Sequence, residues 1–390
     1  MRKKKIDYLQ YVLFIILIQI SMIYFIGTSF NYTDQSEILP ITTFQASELY
    51  FNESKAYDHI VTQLGFGFRV PGYQAHDDCA NWINQTLRPY TEEVIIQEFT
   101  IQKSGQPAYQ CQNILGKINT NETNIIILGA HWDSRAVAEK DSYNKIQPIP
   151  GANDGASGVA VLLELARILN QAKSEINAQI WIVFLDAEDQ GNSQGIYGIE
   201  GWRWCEGAIA FNNALESYYN AAMESINCFI LLDMVGGNNL QFIDEAHSTN
   251  TLQNAMFLEG RSLGYIEQFP ERPKLMAITD DHISFLENNI ASVDVIIDFI
   301  DGPWKHHHKH SDDLSNIDIN SLNITGRTTE SFIKTYYNST SLPNWGNPSN
   351  NDMWQLWLWP VLIITVIGIA FVFIIKYSRE KSFNKLPVKR

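Results

Sequence analysis

Short, unbroken apolar runs punctuate the middle of the chain: residues 124–131 (NIIILGAH), 179–186 (QIWIVFLD), 228–236 (CFILLDMVG) and 292–299 (SVDVIIDF). Runs of this length without polar alternation suit strands buried on both faces of a largely parallel sheet. Between the first two, residues 159–169 (VAVLLELARIL) place apolar side chains at helical spacing behind a Gly-rich turn. Strands alternating with helices predict one α/β domain, with a mixed, mainly parallel central sheet and helices on both faces.

Two longer apolar runs stand apart from this pattern. Residues 8–30 follow the basic start MRKKK, and residues 353–375 precede a basic tail. Each is long enough to cross a bilayer as a helix, and Trp354, Trp357 and Trp359 would sit at one interface. The first run also admits a cleaved signal peptide, but its length and the lack of an A-x-A site favour an anchor. Basic residues at both ends place both termini in the cytoplasm and the segment between them outside, at the cell exterior or in a lumen. The expected organisation is a basic start (1–7), a transmembrane helix or signal anchor (8–30), a linker (31–50), a folded domain (51–335), a second linker (336–352), a transmembrane helix (353–375) and a cytoplasmic tail (376–390).

Charge changes the picture once the flanks are removed. They hold ten of the 28 Lys and Arg, so the intervening segment carries a net charge near −23. That excludes nucleic acid as a partner and suits basic peptides or divalent cations. Four cysteines (Cys79, Cys111, Cys205, Cys228) and sequons at Asn31, Asn52, Asn84, Asn121, Asn323 and Asn338 lie in the same segment. Four cysteines allow three full disulfide pairings, and their spacing matches no zinc finger.

In open α/β sheets, ligands bind beyond the carboxyl ends of the strands, and this chain places its polar residues there repeatedly. The first run ends in His131 and Asp133, and a Gly-rich turn then carries Asp154. The second run delivers Asp186, Glu188 and Asp189, the third ends at Asp233, and WKHHHKHSDD follows the fourth. A lone Asp after a strand is usually a cap or turn residue. Acids and a histidine at successive strand ends are poorly explained that way, and they match the nitrogen and oxygen donors that zinc takes.

With these residues in place, the chain resembles the zinc-dependent aminopeptidase superfamily, and within it the glutaminyl cyclase (glutaminyl-peptide cyclotransferase) branch. GFGFRVPG, GAHWDSR, PGANDGASGVAVLLELAR, FLDAEDQG, WCEGA, LLDMVG, DDHISFLENNIASVDVIIDF and HHKHSDDLSNID occur in the family's order between about 60 and 330. The resemblance implies a zinc exopeptidase-like fold, with Asp154, Asp189 and His308 as zinc ligands and Glu188 as general acid/base. It implies Asp233 and Asp281 as acids bonded to Glu188, and His131, Asp133 and Asp233 as a possible second metal site or outer support. One zinc, or two, is then expected. His308 is chosen because the family's ligand lies four residues before an acid and eight before an Asn, here Asp312 and Asn316; His306, His307 and His310 remain alternatives. Where animal cyclases place a pocket-lining Trp before the ligand, this chain has His307, and the nearest Trp in sequence is Trp304. The implied activity is a membrane-anchored, zinc-dependent glutaminyl-peptide cyclotransferase acting on peptide or protein N-termini. The alternatives are a zinc aminopeptidase and an inactive receptor-like member.

Overall fold

The protein is described by a computed structural model, which covers residues 48–103, 105–192 and 198–346. Helices α1 (Glu53–Phe66) and α2 (Gln74–Leu87) lead into an antiparallel pair, β1 (Glu93–Ile101) and β2 (Tyr109–Ile118). Then follow β3 (Asn124–His131), α3 (Ala156–Ala172), β4 (Gln179–Leu185), α4 (Glu206–Ala214) and β5 (Ser225–Asp233). After a short strand β6 (Asp244–Glu245) come α5 (Asn250–Ser262), its pairing partner β7 (Leu275–Met276) and α6 (His282–Glu287). Strand β8 (Ser292–Ile296) and the long helix α7 (Ile319–Tyr336) complete the domain.

The six-stranded sheet has the order β1-β2-β4-β3-β5-β8. Strands β4, β3, β5 and β8 run parallel, whereas β2 joins β4 antiparallel. The four apolar runs are therefore the parallel core of the sheet, and β4 is buried along its whole length. Both faces are covered, as such runs require. One face packs against α1, α3 and α7, and the other holds Phe211, Phe229 and Phe285 in a smaller apolar layer. Helix α3 lies very close to the sheet: a Cβ on Gly158 would stand 2.1 Å from the Leu232 carbonyl oxygen. Only glycine permits that approach.

All four cysteines are buried and free, so none of the three possible pairings forms. The expected spans and basic flanks (8–30, 353–375 and the ends) lie outside the described residues. Among the described residues no helix is long and apolar enough to cross a membrane. Packing continues beyond α7, since Tyr337 and Trp345 are buried and Trp345 stacks on Phe332.

On the same helix, the buried Glu330 carboxylate accepts the backbone N–H groups of Tyr50 and Phe51 at 2.9 Å. Where the chain enters the domain, it is thus tied to α7.

Candidate active site and metal centre

The carboxyl ends of β3, β4, β5 and β8 open into a cavity of about 420 Å³ lined by Asp154, Glu188, Asp189, Asp233 and His308. These five side chains come from four segments: the turn bearing Asp154, the turn bearing both Glu188 and Asp189, the end of β5 with Asp233, and the loop bearing His308. Buried contacts fasten the first two. Asp312 accepts the N–H groups of Asn153 and Asp154 at 2.8 and 3.0 Å, which sets the turn bearing Asp154. Arg69, from the GFGFRVPG stretch, donates to the carbonyls of Trp132, Pro150 and Gly151 and closes that loop from behind.

Asp133 has a similar task. Its carboxylate accepts the N–H groups of Glu188 (3.1 Å) and Asp189 (3.2 Å) and the Gln190 amide (2.8 Å). It therefore holds the Glu188–Gln190 turn, with its other contact on His131 Nδ1 at 3.3 Å. Asp186 points away from the cavity. It takes the N–H of Gln112 at 2.8 Å and lies 2.9 Å from Nε2 of His76, a residue to which the sequence pattern assigns no role. Backbone strain concentrates here: Ala187, Cys205, Met234 and His308 all have φ between 48° and 60°. Non-glycine residues in that region cluster where function demands a particular side-chain direction.

His308 Nε2 lies 3.1 Å from Asp189 Oδ1 and 3.9 Å from Asp154 Oδ2. Of the other histidines in the run, His306 bonds Ser311 and His310 bonds Asp141, and neither lines the cavity that holds Asp154 and Asp189. His307 stays close enough to be grouped with Asp154 and His308, but its Nδ1 meets Lys140 and its ring packs on Phe299. Asp154 Oδ2 and Asp189 Oδ2 are buried without any hydrogen-bond partner. Orphaned carboxylate oxygens beside an imidazole nitrogen are costly unless a cation joins them, and nitrogen–oxygen donor sets of this kind suit zinc. The residues present fit the metal.

A second grouping adjoins the first. His131 Nε2 lies 3.2 Å from both Asp154 Oδ1 and Asp233 Oδ1, and the three side chains bring one donor atom each within 4.8 Å of the others.

The electrostatics show a surplus of buried acid. Burial, then the charge of Asp280, raises the Glu188 carboxyl well above its usual range. Burial raises Asp189, and the neighbouring Asp154 adds to it. Asp154 itself is pushed up by burial, but its hydrogen bond and charge interaction with His131 outweigh this and hold it low. Burial works against a proton on His131, yet Asp133, Asp154 and Asp233 together raise it well above an ordinary imidazole. Crowded carboxylates whose proton affinities are driven apart suit proton transfer.

Two adjacent acids, Asp280 and Asp281, lie close to Glu188. Asp281 is fully buried, both its oxygens lack partners, and burial raises its carboxyl to about 8, but it does not line the cavity. Its neighbour Asp280 does, and it is grouped with Glu188 and Cys205. Asp280, one residue earlier, brings a carboxylate oxygen within 4.8 Å of one of Glu188, and the charges of both Asp280 and Asp281 raise Glu188. The aromatic wall comes from another part of the chain. Trp304 is fully buried and outside the cavity lining, whereas Trp204 lines the cavity and stacks on His308 at 6.0 Å and 12°. Cys205, next to it, lies with its thiol 3.4 Å from Glu188 Oε1.

Known proteins share this fold. The model of Peptidase family M28 matches residues 113–333. Among curated proteins the chain is similar to the glutaminyl-peptide cyclotransferase of Drosophila melanogaster, 24% identical over 331 residues, covering 76% of this chain and 86% of that one. That of Bothrops jararaca is 21% identical over 294 residues, covering 69% and 78%. Among solved structures, Bacteroides thetaiotaomicron glutaminyl cyclase bound to N-acetylhistamine is 31% identical with a TM-score of 0.68, covering 74% of this chain and 99% of that one. A leucine aminopeptidase precursor from Bacteroides thetaiotaomicron is 32% identical with a TM-score of 0.66, at the same coverage.

Proposed function

The chain belongs to peptidase family M28, on its glutaminyl cyclase branch, and we propose that it converts the N-terminal glutamine of peptides or proteins to pyroglutamate with release of ammonia. The observation that carries this reading is the meeting, in one cavity, of the Asp154–Asp189–His308 donor set with the acids Glu188, Asp233 and Asp280. Zinc held by Asp154, Asp189 and His308 would polarise the γ-carbonyl of the substrate and offset the charge that develops on its oxygen.

The remaining work falls to the side chains. Asp233 and Asp280 present carboxylates to the substrate's α-amine and orient its nitrogen toward the γ-carbon. As the new carbon–nitrogen bond forms, Glu188 takes the proton that the amine loses. It returns that proton to the amide nitrogen as the old carbon–nitrogen bond breaks, and ammonia departs. The high proton affinity that burial and Asp280 give Glu188 suits a group that must both accept and return a proton. Trp204 and Phe299 supply the apolar wall against which the glutamine side chain lies.

A second reading is aminopeptidase action, with Glu188 as base for a water molecule. It is favoured by the His131–Asp154–Asp233 grouping, which could take a second metal ion. Incubating the full chain, loaded with zinc, with a peptide that begins with Gln separates the two by mass. Loss of ammonia alone is the expected result. Loss of the whole first residue would make the protein an aminopeptidase, and an unchanged peptide in the presence of bound zinc would support the inactive, receptor-like alternative.

We also propose that residues 8–30 and 353–375 anchor the protein in a membrane, with both termini cytoplasmic and the domain outside. What supports this is the pair of bilayer-length apolar runs with basic outer flanks. On sealed cells, an impermeant protease should digest the domain and spare tags at both ends; a protected domain would reverse the orientation.

A further inference from the structure

Two side chains that have no part in the mechanism above hold the metal-binding loops to each other. Glu139, in the loop after β3, places Oε1 2.5 Å from His308 Nδ1, and its Oε2 accepts from Arg135 Nε at 2.7 Å. Arg135 in turn donates through Nη1 to the Asp189 carbonyl (2.6 Å) and to Asp189 Oδ1 (3.1 Å). Its guanidinium lies 4.7 Å over the Trp204 ring, the ring that stacks on His308. The circuit closes on itself and is shielded from solvent: the Arg135 and Glu139 side chains are 1% and 9% exposed, and Trp204 is half-buried.

We propose that Glu139 is a positioning residue of the metal site: it orients His308 through Nδ1 and, by way of Arg135, sets Asp189 in the same frame. The chemistry is constrained at each end. A carboxylate only accepts hydrogen bonds, so the Nδ1 that faces it must carry the hydrogen. The neutral imidazole then presents the bare Nε2, a metal-binding lone pair, toward Asp154 and Asp189. His308 needs this restraint, because its backbone sits at φ 56° and the side chain leaves a strained turn. Arg135 supplies the charge that makes the buried Glu139 carboxylate tolerable, and its forked donors join that carboxylate to Asp189. One carboxylate and one guanidinium thereby align two of the three ligands.

The inference rests on Asp154, Asp189 and His308 being the ligands, and its test is separable from theirs. In the full-length Glu139→Ala protein, zinc affinity measured by competition with a chromogenic chelator is expected to fall about 10–100-fold, the usual cost of losing a ligand's outer partner. The far-ultraviolet circular dichroism should not change, and activity should return as zinc is raised. Glu139→Gln retains one acceptor oxygen for two donors, so a smaller loss of affinity is expected. Wild-type zinc affinity in folded Glu139→Ala would overturn the proposal. Should that variant not fold, wild-type affinity in Glu139→Gln would overturn it equally. Undiminished zinc in a His308→Ala control would instead remove the ligand assignment itself.

Discussion

Replacing Glu188 with Gln is expected to lower kcat on a Gln-initiated peptide by about 10²–10⁴-fold, the range that a positioned acid/base group contributes. Zinc content should stay at the wild-type level. The substitution preserves shape and leaves intact the backbone N–H that Asp133 holds. It also removes an ionisable group that is buried and opposed by Asp280, so thermal stability should be unchanged or raised. The effect is then confined to proton transfer, and KM should move little. Activity within a few-fold of wild type, with zinc present, would take Glu188 out of its role. A loss of zinc together with activity would mean that Glu188 is a ligand and that the cavity has been divided wrongly between metal and proton transfer.

His308→Ala is expected to abolish stable zinc binding, measured as metal per chain after dialysis against a weak chelator. The affinity loss should exceed the 10–100-fold that removal of an outer partner costs, because a ligand itself is gone. Two buried acids, Asp154 and Asp189, would then face each other without the imidazole that now lies 3.1 Å from Asp189. Full retention of zinc would point to His307, the histidine of the 306–310 run that is grouped with Asp154 beside His308. The pair of variants divides the site cleanly: one keeps metal and loses turnover, the other loses metal.

The parallel core was legible because its strands are continuous apolar runs, a pattern with few other meanings. Their ends were less so. Strand β5 starts three residues earlier than the apolar run (Ser225 rather than 228), and β8 stops at Ile296 rather than 299, because backbone pairing does not require apolar side chains at every position. The antiparallel β1–β2 pair is hard to read from sequence because β1 is an edge strand with Glu93 and Glu98 exposed and Gln97 half-exposed. In the site, Asp154, Glu188, Asp189 and Asp233 could be picked out because each closes or follows an element. Asp280 and Asp281 are adjacent acids in a loop before α6, where no periodicity tells which one faces inward. Arg135, Glu139 and Trp204 are invisible to spacing for another reason. Glu139 and its partner His308 are 169 residues apart, and only the folded chain makes them neighbours.

The tie between Tyr50 and Glu330 has a consequence for how substrate reaches the protein. The chain enters the domain at the later part of α7, and it leaves from the same region, where Trp345 stacks on Phe332 and hydrogen-bonds Asn227 near the start of β5. Tyr337, just past α7, accepts the N–H of Asn177 before the start of β4. Entry and exit thus lie toward the amino-terminal edge of the sheet, and the cavity lies at the opposite, carboxyl-terminal edge. Strands of seven to nine residues separate the two by about 20–30 Å. The described chain thus enters and leaves on the side of the domain away from the mouth of the cavity. A peptide can then approach that mouth without passing the points where the chain enters and leaves.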